Sequence, residues 1–93
     1  MRKHIARKGK EHVRQTLRDQ LMQREEVLFA YLFGSFTLEG SFDDVDVAVY
    51  VTPEALHRTD ALRLSFSLAD ILERAVGLPV DVVILNTAPL SLQ

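Results

Sequence analysis

Apolar and polar positions along the chain follow three rhythms. From Lys10 to about Arg24 the apolar residues Val13, Leu17 and Leu21 recur every four positions, which predicts an amphipathic helix with a narrow stripe. Val27 to Phe33 is an unbroken apolar run, Val-Leu-Phe-Ala-Tyr-Leu-Phe, with the β-branched and aromatic content of a strand. A polar loop from Gly34 to Asp43 then leads to Asp44-Val45-Asp46-Val47-Ala48-Val49-Tyr50-Val51, where the valines alternate with other residues. Period two places Val45, Val47, Val49 and Val51 on a core face of a second strand and Asp44 and Asp46 together on the other, about 7 Å apart.

After the second strand, Thr52-Pro53 reads as a helix start, with Thr as N-cap and Pro where its missing N–H costs nothing; Gly77 and Pro79 supply the stop. Within this segment Leu62, Phe66, Ala69, Leu72 and Val76 form one apolar stripe, and Leu64, Leu68, Ile71 and Ala75 a second beside it. One stripe is expected to cover the sheet. The other deepens the core or faces another chain. Val80-Asp81-Val82-Val83-Ile84-Leu85 predicts a third strand, closed by the turn-like Asn86-Thr87-Ala88-Pro89.

The expected fold is therefore α/β in the α+β sense: a small mixed three-stranded sheet with helices packed on it. A strand, crossover helix and strand make parallel neighbours, so the strands opening at Asp44 and Val80 start at the same sheet edge. The ten-residue loop before Asp44 favours an antiparallel first strand, which ends at that edge too. Topology thus gathers Gly34, Ser35, Asp44, Asp46 and Asp81.

Neighbouring carboxylates resist ionising together unless a cation sits between them. Three hard oxygen donors suit Mg²⁺, which shares its shell with substrate phosphates, and a Gly-Ser turn offers backbone N–H groups and a hydroxyl to phosphate oxygens. That equipment suits phosphoryl or nucleotidyl transfer. Gly-Ser alone is usually an ordinary turn, and an acid at a strand start is usually a solvated edge residue; the combination carries the reading.

Composition narrows the setting. Ninety-three residues, 47% hydrophobic, make a single domain over 1–93, with residues 1–9 expected as a mobile basic N-terminus. The absence of cysteine excludes disulfides and thiolate metal sites. No apolar run approaches the roughly 20 residues of a membrane span and no signal peptide precedes the first, so a cytoplasmic protein with no membrane partner is expected. The net charge of −2 hides an asymmetry: residues 1–18 hold seven basic residues against one acid, +6, and the remainder four against twelve, −8. A basic helix face is most often simply solvated, although it leaves nucleic acid open as a partner. His4, His12 and His57 share no metal-ligand spacing and are assigned to the surface.

A strand ending in Gly34-Ser35, a loop, Asp44-x-Asp46 opening the next strand and Asp81 after a helix resembles the polymerase-β-like nucleotidyltransferases. The short length and "LPVDVVILNTAP" look like the minimal nucleotidyltransferases, many of which are the antitoxin half of an MNT–HEPN toxin–antitoxin pair. The resemblance spans about Val27 to Pro89. It implies that Gly34 and Ser35 bind the triphosphate, that Asp44 and Asp46 hold the metal ions, and that Asp81 binds the catalytic metal and helps deprotonate the attacking hydroxyl. It further implies transfer of AMP from ATP, with Mg²⁺, to an acceptor that in antitoxin members is a tyrosine of the HEPN toxin. Eight residues separate Ser35 from Asp44, fewer than the family's usual ten or so, and Phe36-Thr37-Leu38-Glu39 stands where a basic residue is common.

Other phosphate-handling folds fit less well. Haloacid-dehalogenase-like phosphatases place Asp-x-Asp after an apolar strand rather than at the start of one, and a TOPRIM domain would carry glutamate where Gly34-Ser35 stands. Ser35 has no sequence-evident base, which argues against a hydrolase nucleophile. So small a chain has little room for a domain to grip a large acceptor, which favours a protein partner bringing its own surface. A non-catalytic module that sequesters a partner is the competing class, and a homo-oligomer is left open.

Overall fold

A computed structural model of the chain describes residues 5–38 and 40–87. Helix α1 covers Arg7–Met22, strand β1 Val27–Phe33 and strand β2 Val45–Val51; helices α2 and α3 cover Pro53–Arg58 and Ala61–Val76, and strand β3 covers Val80–Ile84. Single 3-10 turns follow β1, at Ser35–Thr37, and β3, at Leu85–Thr87. The sheet order is β1-β2-β3, with β1 antiparallel and β3 parallel to β2, as the connection lengths require.

The period-two reading of β2 holds: Val45, Val47, Val49 and Val51 are all buried. They form the core with Val13, Leu17 and Leu21 of α1, and Leu68 and Leu72 of α3. Both long helices therefore cover one face of the sheet. The opposite face is open and carries Phe29, Tyr31 and Phe33 beside Tyr50; the Phe29 and Tyr50 rings stack at 5.2 Å.

The structure departs from the sequence expectations in the helices. Helix α1 begins at Arg7 and takes in Gly9 and Lys10, so the chain is already helical within the segment expected to be mobile; residues 1–4 of that segment lie outside the described residues. The single helix expected from Pro53 to Gly77 is two. Thr59 is extended, and Asp60 caps a new helix by accepting a hydrogen bond from the Arg63 N–H at 2.8 Å. The buried face of α3 is Leu68 and Leu72, with Ala61, Leu64 and Val76 packed against the core, so the real face cuts across both expected stripes. Leu62 and Phe66 are left exposed.

The expected helix signals at the other ends hold. Thr52 accepts from the Ala55 N–H, Pro53 follows it, and Gly77 ends α3 at φ 71°. The turn expected over Asn86 to Pro89 is in part a 3-10 turn; Ala88 and Pro89 lie outside the described residues. Asn86 extends the sheet beyond Ile84: its side-chain amide donates to the Val51 carbonyl at 2.9 Å and accepts from the Val51 N–H at 3.0 Å. Asn86→Ala strands both partly buried groups and is expected to cost about 1–3 kcal/mol in urea unfolding.

Candidate nucleotidyl-transfer site

Backbone register builds the site. Phe33 pairs with Asp46, and Asp46 with Asp81, so the end of β1 and the starts of β2 and β3 meet in one row. Asp44 immediately precedes β2, and Gly34-Ser35 immediately follows β1. The five residues singled out from the sequence thus share one sheet edge. Asp43, the acid that a slipped register would have used, is exposed outside the strand.

Gly34 lies against Asp46. Its φ of 80° and ψ of −165° belong to a region almost confined to glycine. A Cβ there would run into the Asp46 carboxylate, lying 3.1 Å from its Cγ. The Ser35–Thr37 turn is fastened by the Thr37 N–H and hydroxyl, which donate to the Gly34 carbonyl at 3.1 and 2.8 Å. The Ser35 hydroxyl oxygen accepts from the Asp43 N–H at 3.4 Å, tying the turn to the start of the acidic segment. The start of β3 is held by Glu73 of α3, whose carboxylate accepts from the Val80 N–H at 3.3 Å.

Asp46 registers the crowding of charge. Its carboxyl is raised above the ordinary value of 3.8, first by burial and then by the negative charges of Asp81 and Asp44. A carboxyl with a higher pKa folded than unfolded binds its proton more tightly in the fold, so ionising it costs stability. That loss is expected to grow as pH rises from 3.8 through the raised value and to persist at neutral pH. Without metal, Asp46→Asn should therefore melt above wild type near neutral pH. The difference should vanish below pH 3.8, where both proteins are uncharged at this position.

The donor set fits a hard divalent cation. All three side chains offer carboxylate oxygen, and Asp46 feels the repulsion that a cation would relieve. No three acidic or histidine side chains among the described residues are already drawn to metal-ligating spacing. Mg²⁺ ordinarily takes only one or two carboxylates and completes its shell with water and phosphate, so a protein cage is not required.

The acid row lies at the sheet edge, with Asp81 exposed and Asp44 and Asp46 half-buried. Two grooves, of about 620 and 500 Å³, lie instead between α1 and β1 and beside Lys10 and Leu38, and neither is lined by Asp44, Asp46 or Asp81. Among the described residues no helix is long and apolar enough to cross a membrane. His12 and His57 are exposed, as expected, and His4 lies outside the described residues.

Thr37 and Glu73 position the site and were not singled out from the sequence. An unremarkable Thr inside a loop carries no spacing signal, and Glu73 reads as an ordinary polar position on α3. The family model described as "Polymerase beta, Nucleotidyltransferase" matches residues 15–93, which takes in every element that builds the acid row. Among curated proteins and among solved structures nothing matches the chain. The match over most of the chain, on a three-stranded mixed sheet with helices on one face, makes this protein a member of the polymerase-β nucleotidyltransferase family.

Proposed function

We propose that the chain transfers AMP from ATP to a hydroxyl acceptor in an Mg²⁺-dependent reaction, and that the acceptor is a tyrosine of a partner HEPN toxin. The observation that carries the reading is the alignment of Asp46 with Asp81 across β2 and β3, with Gly34 against Asp46. Asp44 and Asp46 would hold Mg²⁺ together with Asp81. When bound, the ion neutralises charge on the triphosphate and on the leaving pyrophosphate. Gly34 and Ser35 bind the triphosphate through backbone N–H groups and the Ser35 hydroxyl. Asp81, exposed at the start of β3, accepts the acceptor's hydroxyl proton. The acceptor oxygen bonds to the α-phosphorus as the bond from that phosphorus to the bridging oxygen breaks, and pyrophosphate leaves.

The exposure of Asp81 at the sheet edge supports a protein acceptor, whose hydroxyl can reach it from outside. The aromatic strip of Phe29, Tyr31 and Phe33 runs along β1 to the same edge and offers apolar surface beside it. Incubation of the chain with a HEPN toxin, Mg²⁺ and ATP labelled either at the α- or the γ-phosphate tests the proposal. Label on a toxin tyrosine from the α- but not the γ-labelled nucleotide is expected. Transfer of the γ-label alone would make the protein a kinase and end the adenylyl reading.

A non-catalytic module that sequesters the same partner is the second reading, favoured by the exposed Leu62 and Phe66 on α3. It expects neutralisation of the partner to survive Asp44→Asn and to fail in Phe66→Asp. If transfer carries the function, Asp44→Asn abolishes neutralisation.

A further inference from the structure

We infer that Lys10 is a positioning residue for the acid edge, its ammonium pinning the loop from Gly34 to Asp44 so that Ser35 and the acids keep a fixed separation. The inference deepens the nucleotidyl-transfer reading and rests on it. Lys10 lies on the apolar face of α1, in line with Val13, Leu17 and Leu21, and at 5% exposure is the buried charged residue among those described. Its Nζ donates to the carbonyls of Leu38 at 2.7 Å and Gly40 at 3.0 Å. The same nitrogen lies 5.3 Å and 5.2 Å from the ring centroids of Phe36 and Phe42, which pack edge to face, fully buried, at 4.9 Å.

These four contacts bracket the loop. Phe36 directly follows Ser35, and Phe42 stands two residues before Asp44. One side chain from α1 therefore holds both the phosphate end and the metal end of the segment, and it also holds Leu38 and Gly40 through their carbonyls. Taking an ammonium out of water is costly unless its donors are satisfied. An apolar side chain would serve the core as well, as Val13 and Leu17 do on the same stripe, but would leave those two carbonyls without their donor. Helix α1 supplies none of the acids and reaches the turn after β1 through Lys10 and through Arg14, whose guanidinium carbon lies 5.6 Å from the Phe36 ring centroid.

Three variants test the inference: Lys10→Met, which keeps the length and loses the charge; Lys10→Arg, which keeps the charge; and Leu21→Ala, which loosens the same helix near its other end. Amide hydrogen exchange is read at Thr37, Leu38 and Asp43, whose N–H groups close the loop. ATP half-saturation and kcat are read in the transfer assay. Lys10→Met is expected to lose protection at these three amides and to raise the half-saturating ATP concentration about ten- to a hundredfold, with a smaller fall in kcat. Lys10→Arg should restore part of both. Leu21→Ala should lower the melting temperature while leaving loop exchange and ATP half-saturation as in wild type. Unchanged loop protection in Lys10→Met, or the same changes in Leu21→Ala, would overturn the clamp. Absence of any transfer by wild type would instead remove the function proposed above, and the exchange measurement would still decide whether Lys10 holds the loop.

Discussion

Asp46→Asn is expected to reduce nucleotide transfer by roughly a thousandfold or more, about 4 kcal/mol of lost charge stabilisation, while the protein stays folded. Asp46 is the middle of the acid row: it pairs with Phe33 on one side and Asp81 on the other, and its ionisation is opposed by burial and by both neighbouring acids. Asn keeps the shape and removes the negative charge. The same substitution that ends catalysis should therefore raise thermal stability near neutral pH in the absence of metal, because it removes first the cost of burying the charge and then its repulsion by Asp81 and Asp44. Added Mg²⁺ should stabilise wild type more than the variant, since only wild type gains a relieved carboxylate. Loss of activity together with loss of fold would assign Asp46 a structural role instead. A parallel measurement of melting temperature and transfer rate separates the two.

Gly34→Ala should be the second severe change, by another route. The backbone there adopts φ 80°, ψ −165°, which costs a residue with a Cβ about 1–3 kcal/mol on its own. The added methyl also meets the Asp46 carboxylate, so either the turn or the acid must move. Displacing a reacting group by about 1 Å can cost on the order of a hundredfold in rate. We expect a drop of that size in transfer, together with a stability loss of about 1–3 kcal/mol measured by urea unfolding. Wild-type rates in Gly34→Ala would show that the turn and Asp46 need not approach, and would detach the Gly-Ser turn from the site.

The sheet could be read from the sequence because each strand announces itself by a different constraint. Strand β2 alternates strictly, β1 is apolar throughout and β3 is bounded by Pro79, so neither their limits nor their directions leave much choice. Once those directions are set, the acid row follows without any side-chain information. The helices were less legible because two apolar stripes run side by side along α3, and the helical period alone does not say which positions face the sheet. Thr59-Asp60 before Ala61 is a capping signal inside the stretch from Pro53 to Gly77 and divides it into two helices; in the second, Leu68 lies in the core and Phe66 is exposed.

Lys10 shows another limit. It lies three residues before Val13 and seven before Leu17, on the apolar stripe itself, and that placement was a visible signal of burial. A basic side chain at the end of a basic segment reads as solvated until the loop carbonyls that receive it are known. The open aromatic face of β1 is the same case reversed. An unbroken apolar run suggests a strand buried on both sides, whereas the helices reach only one face and leave Phe29, Tyr31 and Phe33 exposed.

We expect the shared edge of Gly34, Ser35, Asp44, Asp46 and Asp81 to act as a metal-dependent nucleotidyl-transfer site. Its most direct test is incubation with α-labelled ATP and Mg²⁺, with and without a HEPN toxin, comparing wild type with the double variant Asp44→Asn/Asp46→Asn. Label passed to the toxin by wild type and not by a folded double variant is the predicted result. Equal labelling by both proteins would contradict the account, because transfer would then proceed without the carboxylates on which it rests.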